Sequence, residues 1–195
     1  MDYTDISPMM GTLWSPLAAV TSRWQGRDNV QIVVAIAAAS IVPERPRVIV
    51  QLYKTNLSHG MVLAGGAFAL NFLRPDQLSL IGDFGLVSGR DRDKLAEVAR
   101  TTGKSGSPLL TDCFGYLDCR VINAMDGGDM TCFLAEVLDG KTLSDGDPLW
   151  WRDARRQLSQ EWMARWEQKQ SSAIAISRDT IDGIDHAPWQ PNTQQ

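Results

Sequence analysis

Residues 47–59, RVIVQLYKTNLSH, carry side chains suited to binding a phosphate group. The apolar, β-branched first half predicts a strand that ends at Lys54. Thr55, Asn56 and Ser58 follow, and side chains of this kind begin helices because their oxygens accept otherwise unpaired backbone N–H groups. The first turn of a helix attracts anions, and the ammonium of Lys54 would add a full positive charge. The segment therefore predicts a strand-to-helix phosphate site, with a capped surface helix as the structural alternative.

Other reactive side chains are few. Cys113, Cys119 and Cys132 fall in or beside predicted strands without CxxC spacing, which indicates reduced thiols of the core. The two histidines, His59 and His186, are far apart in the sequence, and His59 is expected on a helix surface. A metal site, which needs clustered ligands, is not predicted. No nucleophile is paired with a base and no carboxylate pair is evident, so difficult chemistry would belong to a cofactor.

Composition excludes several classes of partner. The 195 residues carry a formal net charge of -4, and their number suits one domain with a sizeable core. The mild acidity argues against nucleic acid, which requires a basic surface. No apolar run reaches the roughly 18 residues of a membrane span, so no membrane partner is expected. Because a secretory signal is also missing at the N-terminus, we predict a cytoplasmic protein.

Residues 30–42 predict one strand with two different faces. Large branched side chains alternate with small ones, and the small face includes Ala35, Ala37 and Ala39. A face exposed to solvent would be polar, and this one is not. We therefore expect something flat against it, either a neighbouring subunit or a planar ligand.

The rest of the chain predicts a mainly β fold with short helices in its connections. Further strands are predicted at residues 17–24, 48–53, 67–73, 116–125 and 129–140, the last two joined by a glycine turn. Short helices are predicted at residues 56–64, 75–85 and 88–100. Hairpins and short helical connections favour an antiparallel barrel. A dinucleotide-binding parallel sheet is excluded because no GxGxxG follows the first strand.

Residues 149–170 predict a C-terminal helix that begins at Asp147-Pro148. Large apolar side chains recur on one of its faces at helical spacing; they are Trp151, Leu158, Trp162 and Trp166. Core packing explains such a stripe, and the alternatives are a clasp on a partner subunit or a cover over a pocket. The polar residues after Gln170 predict a loosely attached tail.

The ordered set of motifs resembles the flavin reductase-like family, whose fold is an FMN-binding split β-barrel. The matching segments are Ser15-Pro16 with AVTS, Asn29 with the alanine-rich strand to Ser40, RVIVQLYKTNLSH, GAFALNFL, DFGLVSGRDRDKL, Leu117-Asp118-Cys119 and GGDMTCFLAEV. The resemblance covers residues 13–138. We therefore expect a split-barrel domain at residues 1–145. The tryptophan-rich helix and tail at residues 146–195 carry no motif of the family, and we expect them to pack on the same domain or on a partner subunit.

The resemblance also implies a cofactor, a partner and a set of site residues. The family forms homodimers with FMN, or alternatively FAD, near the subunit interface, and NADH or NADPH donates electrons. The residues expected to line the flavin ring are Ala37, Ala38, Ala39 and Ser40. Those expected to hold its phosphate are Lys54, Thr55, Asn56 and Ser58. Further flavin or nicotinamide contacts are expected from Ser88, Gly89, Arg90 and Lys94.

The expected activity is electron transfer from NAD(P)H through flavin to free flavin, iron or another acceptor. Two alternatives remain open at this point. The tryptophan-rich helix could cover the face where a dinucleotide would stack, which favours an FMN-binding electron carrier or flavin sensor. The family often has hydroxyl side chains where this chain has Ile36 to Ala39, which favours a structural barrel that has lost its ligand.

Overall fold

The computed structural model describes residues 3–13 and 16–190. Ser15, which belongs to one of the motifs above, lies outside the described residues, and so do residues 191–195 of the predicted C-terminal segment. Within the described ranges, no helix combines the length and the apolar character that a bilayer crossing needs.

Nine antiparallel strands occur in the part of the chain that the structure describes. Seven form one sheet in the order β2-β1-β5-β8-β9-β4-β3, and the other two, β6 and β7, form a separate hairpin. The strands are β1 Ala18–Trp24, β2 Arg27–Val33, β3 Ile36–Ala38, β4 Arg47–Tyr53, β5 Ala67–Phe72, β6 Arg100–Thr102, β7 Pro108–Leu110, β8 Gly115–Asp126 and β9 Met130–Thr142. The prediction of a mainly β, antiparallel split barrel is confirmed.

The barrel is split between β2 and β3. These strands form opposite edges of the sheet, yet only Val34 and Ala35 separate them along the chain. The sheet must therefore curl until its two edges meet. The prediction of one continuous strand over residues 30–42 is wrong, because β2 pairs with β1 whereas β3 pairs with β4. The change of pairing partner interrupts the strand at Val34 and Ala35.

Strand β1 is buried on both faces. Ala18 and Val20 contact a core inside the barrel, together with Phe68 and Phe133. Leu17 and Ala19 contact a second core on the outside. Because successive side chains of a strand point to opposite faces, one strand joins the two cores.

The helices lie in the connections and at the end of the chain. They are α1 Tyr3–Met10, α2 Leu57–Gly65, α3 Ser79–Gly85, α4 Trp151–Gln157 and α5 Gln160–Arg178, with short 3-10 turns at Gly11–Leu13 and Pro75–Gln77. The prediction of a helix over residues 88–100 is wrong. That segment forms successive turns before β6 begins at Arg100. The Lys94 side chain donates to the backbone carbonyl of Phe84 at the end of α3, and the Arg100 side chain donates to that of Leu95. These contacts override helix propensity.

The C-terminal helix differs from its prediction in three ways. It begins at Trp151, with Trp150 as the N-cap, rather than at Asp147-Pro148. Leu158 is extended and divides it into α4 and α5, and the Ser159 hydroxyl accepts a hydrogen bond from the backbone N–H of Trp162 at the start of α5. The helix then continues to Arg178, so the prediction of a loose tail after Gln170 is wrong for residues 171–178.

Candidate functional site

A cavity of about 350 Å³ opens at the split of the barrel. Most of its wall comes from the end of β2 with Val34 and Ala35, from β4, from the start of α2, from α3 with the loop of residues 86–94 that follows it, and from α4 and α5. Its main lining residues are Asn29, Gln31, Val33, Val34, Ala35, Gln51, Thr55, Asn56, Ser88, Gly89, Arg90, Lys94, Trp162, Trp166 and Lys169. The volume lies at the lower end of the usual range for small-molecule sites.

The start of α2 contributes polar side chains. Asn56 is the N-cap in an extended conformation, but its side chain makes no capping hydrogen bond. Thr55 and Asn56 both line the cavity. The helix ends at Gly66, whose left-handed conformation (φ 65°) suits glycine. The expected helix is therefore present, whereas the expected side-chain cap from Asn56 is not.

The loop of residues 86–94 fits closely against β2 and α2. A Cβ atom on Gly89 would lie 1.9 Å from Oδ1 of Asn29, so only glycine allows this approach without displacing a neighbour. Asn29 in turn donates through Nδ2 to the hydroxyl of Ser58 at 2.7 Å. The Arg27 guanidinium donates to the carbonyl of Gly89, and that of Arg90 donates to the carbonyl of Thr55 at 3.2 Å. These contacts hold the loop at the side of the cavity.

The cavity is positively charged. Its described lining includes Arg90, Lys94 and Lys169 and no Asp or Glu. Lys94 Nζ donates to the carbonyls of Phe84 and Val87 at 2.8 and 3.2 Å. Burial, with smaller contributions from the charges of Lys169 and Arg92, lowers the pKa of Lys94 to about 8. In a chain of net charge -4, this concentration of cations indicates a site for an anion.

Carboxylate, imidazole and thiol side chains are missing from the described wall of the cavity. The described lining holds no Asp, Glu, His or Cys. No group of metal-ligating side chains occurs among the residues that the structure describes. Burial raises the pKa of Cys113 to about 11, and that of Cys119 is raised as well, so both buried thiols are unreactive.

Tryptophans of α4 and α5 close one side of the cavity. Trp162 and Trp166 lie with ring centroids 6.4 Å apart and nearly parallel, and both contact Trp151 of the second core. The buried indole N–H of Trp162 has no hydrogen-bond partner within the described part of the chain. The apolar stripe of the C-terminal helix therefore serves both core packing and the cavity wall.

Half of the predicted site residues lie together in the lining. They are Thr55, Asn56, Ser88, Gly89, Arg90 and Lys94. Ala37 and Ala38 lie exposed on the edge strand β3 instead, and the hydroxyl of Ser40 accepts from the backbone N–H of Val42 at 3.1 Å after Ala39. Ser58 is buried beside the cavity as the partner of Asn29. Whether each of these residues contacts a ligand stays a prediction.

Lys54 forms an ion pair with Asp126 at the β8–β9 turn, at 2.7 Å. The hydrogen bond from Lys54 lowers the pKa of Asp126 more than any other contact does. The nearby His59 is buried, with its Nε2 2.7 Å from the hydroxyl of Thr131, so the expectation of a surface histidine is wrong. Burial and the charge of Lys54 lower the pKa of His59.

Several lining residues are not among the site residues predicted from the sequence. Asn29 and Gln31 alternate with the apolar residues Val30 and Ile32 of β2, and this alternation of polar and apolar residues is the signal that the sequence offers. Ala35 belongs to the alanine face, but the break in pairing brings it to the cavity rather than Ala37. Lys169 lies in the segment predicted as part of the terminal helix, and the sequence carries no signal that α5 reaches back to the barrel.

Comparison with known proteins identifies related sequences and folds. The flavin reductase like domain matches residues 10–159 of this chain. A "High molecular weight rubredoxin" of Moorella thermoacetica is 34% identical over 140 residues, which cover 71% of this chain and 60% of that protein. The match thus spans less than two thirds of this relative. A "Ferric-chelate reductase (NAD(P)H)" of Archaeoglobus fulgidus is 31% identical over 70% of this chain and 81% of that protein.

A solved structure shares the fold. The FMN-binding protein from Thermus thermophilus with bound p-hydroxybenzaldehyde has a TM-score of 0.61 to this chain at 23% identity, covering 66% of this chain and 71% of that one. The family match ends at residue 159, so α5, which begins at Gln160, lies outside it.

Proposed function

Because the chain belongs to the flavin reductase-like family, we propose that it is a flavin-dependent oxidoreductase that binds FMN and transfers electrons from NADH or NADPH to an acceptor. The observation that carries this proposal is the composition of the cavity. It combines apolar walls and cations with a described lining free of acidic residues. That combination suits a flat apolar ring attached to a phosphate.

The residues of the cavity fit FMN. Val33, Val34 and Ala35 offer an apolar wall to the ring. Arg90 and Lys94 are cations without a carboxylate partner among the described residues, as a phosphate site requires. FAD is the alternative ligand with the same ring.

The chain's contribution is binding and placement. FMN, when bound, supplies the redox chemistry by accepting a hydride from NAD(P)H and passing electrons to the acceptor. Arg90 and Lys94 would hold the phosphate, and Thr55, Asn56 and Ser88 would donate hydrogen bonds beside it. Trp162 and Trp166 would exclude water from the ring, which strengthens the polar contacts of the site. No side chain of the described lining needs to act as an acid or base.

Absorption spectroscopy tests flavin binding directly. We expect freshly purified protein, or protein mixed with FMN, to have flavin absorption bands that remain after gel filtration. Oxidation of NADH and of NADPH is then followed at increasing FMN. Failure to bind FMN at micromolar concentration would contradict the proposal.

The electron acceptor is tested separately. The name of the Archaeoglobus relative supports a ferric chelate as one candidate, and free flavin is the other. Reduction of a ferric chelate at FMN too dilute to act as a shuttle would favour iron. Reduction of added FMN with subsequent slow, non-enzymatic reduction of iron would favour free flavin.

A second candidate is an FMN-binding electron carrier without a nicotinamide site. It is favoured by α5, which covers the cavity and leaves a volume of about 350 Å³. We take residues 146–190, the described part of the segment 146–195, as a cover that packs on its own barrel, since Trp151 and Ala154 belong to the second core. Rapid steady-state oxidation of either NADH or NADPH would rule this candidate out.

We also propose a homodimer that uses the edge strand β3. Ala37 and Ala38 are exposed there, and Ile41 and Val42 beyond the strand are 99% and 48% exposed. Exposed apolar edges favour pairing with another chain. Light scattering should report a dimer, and Ile41→Asp should shift it toward monomer. A monomeric wild type would contradict this proposal without affecting flavin binding.

A further inference from the structure

Helix α5 brings a lysine to the cavity from outside the family-matched segment. That segment ends at residue 159, and α5 begins at Gln160. Lys169, near the middle of α5, lines the cavity and donates to the backbone carbonyl of Gly85 at the end of α3. A residue of the terminal helix thus reaches the same short stretch of backbone as Lys94.

The two lysines stand close together without a counter-charge. Lys94 donates to the carbonyls of Phe84 and Val87, on either side of the residue that Lys169 contacts. The positive charge of Lys169 contributes to the lowered pKa of Lys94. Among the described residues, neither ammonium has a carboxylate within the 4.0 Å of an ion pair. Like charges held in this way repel, and an anion between them would remove the repulsion.

Capping of α3 explains only part of this arrangement. The carbonyls at the end of a helix attract cations, and Lys94 already serves two carbonyls at this position. Lys169 is more exposed than Lys94 and lies on the lining of the cavity as well as at the helix end. A second cation at the lining adds a positive electrostatic field inside the cavity. Capping of α3 alone does not account for this field.

We propose that Lys169 is a specificity-determining residue that, together with Lys94, recognises the 5′-phosphate of the flavin. This inference rests on the proposed function, since it assigns a role within the flavin site. Phosphorylated flavin would then be preferred to riboflavin, and α5 would couple recognition of the phosphate to closure of the cavity.

Titrations of the full-length protein with FMN and with riboflavin test the assignment, because the two ligands differ only in the phosphate. Lys169→Gln keeps a donor for the carbonyl of Gly85 and removes the charge, whereas Lys169→Arg keeps the charge. Arg178→Gln removes a charge from the exposed end of the same helix, outside the cavity lining. Binding is followed by flavin fluorescence, and folding is checked by thermal unfolding.

We expect Lys169→Gln to weaken FMN binding by about tenfold and to leave riboflavin binding within about twofold, while Lys169→Arg and Arg178→Gln bind FMN as the wild type does. Equal losses for FMN and riboflavin, or no loss for either, would overturn the assignment and leave the proposed function intact. An effect confined to a higher KM for NADH would indicate that Lys169 binds a phosphate of the dinucleotide. That result would also overturn the assignment. Failure of the wild type to bind either flavin would instead overturn the proposed function.

Discussion

Two regions of the molecule hold a half-buried lysine, and they differ in what surrounds the positive charge. At the β8–β9 turn, Lys54 is neutralised by Asp126, 72 residues away in the chain. In the cavity, Lys94 contacts backbone carbonyls, and the neighbouring ionic groups are the cations Lys169 and Arg92. Carbonyl dipoles hold an ammonium in position without cancelling its charge. The comparison teaches that the partner of a lysine, more than its position beside a helix, decides whether its charge is available to a ligand.

The largest expected effect is a loss of FMN affinity, and it should differ between variants of Lys94 and Lys54. Lys94→Gln should weaken FMN binding by about 10- to 100-fold, because a charge-assisted hydrogen bond to phosphate contributes about 1.5–3 kcal/mol. Lys54→Gln should weaken it by less than about threefold, because the ion pair with Asp126 already uses that charge. Isothermal titration with FMN and riboflavin measures both variants. A loss in Lys54→Gln as large as that in Lys94→Gln would abolish the distinction and support the phosphate role predicted for Lys54.

Gly89→Ala changes the shape of the cavity wall and leaves its charge unchanged. The added methyl group overlaps Asn29 and must displace it from the hydroxyl of Ser58, at a cost of about 2 kcal/mol in the free energy of unfolding. Because the displaced loop lines the cavity, FMN and riboflavin should lose affinity equally. Urea unfolding and the two titrations measure this outcome. A loss specific to FMN would show that the loop acts through its charge alone.

The pH dependence of FMN binding should follow the titration of the Lys94 side chain. Its pKa is about 8 in the folded protein and 10.5 is its ordinary value, so the unfolded chain holds more protons between these values. The contribution of Lys94 therefore destabilises the ligand-free fold below pH 8, and this penalty is relieved as the pH rises toward 10.5. FMN needs the charged form, so its affinity should fall by up to about tenfold per pH unit above pH 8.

Riboflavin serves as the control for that profile, since it lacks the phosphate. Its affinity should stay nearly flat over pH 7–9, about the range of the Lys94 titration, and Lys94→Gln should flatten the FMN profile as well. A profile that is unchanged in Lys94→Gln would assign the titration to another group.

The smallest effect concerns the covering helix. Ser159→Ala removes the hydrogen bond from the hydroxyl to the N–H of Trp162 and should destabilise the first turn of α5 by about 1 kcal/mol. None of the residues of α5 is fully buried, so little packing opposes local unfolding of this helix. We therefore expect α5 to unfold locally more often in Ser159→Ala than in the wild type. Hydrogen exchange should be faster in α5 than in the wild type, with β-sheet amides unchanged. Uniform loss of protection would mean that α5 unfolds with the barrel and is not a separate cover.

The sequence predicts the strands well because their signals are local. Alternation of large side chains and the glycine turn at Gly127-Gly128 are sufficient for β8 and β9. The start of α2 is also recognisable by its residue types, whereas Ser88, Gly89, Arg90 and Lys94 are expected at the site only from the family resemblance. The local signal at α2 and the resemblance together account for the six expected site residues that line the cavity.

What the sequence does not predict depends on contacts between distant residues. The break at Val34 and Ala35 arises because the sheet curls and exchanges pairing partners, which the uninterrupted apolar run conceals. The pairing of Lys54 with Asp126 joins residues 72 positions apart. The path of α5 across the cavity depends on tryptophans that pack on Trp151 of the second core, and helical spacing alone does not reveal their target.

The most direct test of the central claim is the crystal structure of the protein in complex with FMN. Our account predicts the ring beside Val34 and Ala35 at the split of the barrel, covered by Trp162 and Trp166, with the phosphate at Lys94 and Lys169. Flavin bound elsewhere on the molecule, or a phosphate directed to Lys54 with the Lys94 side untouched, would contradict it.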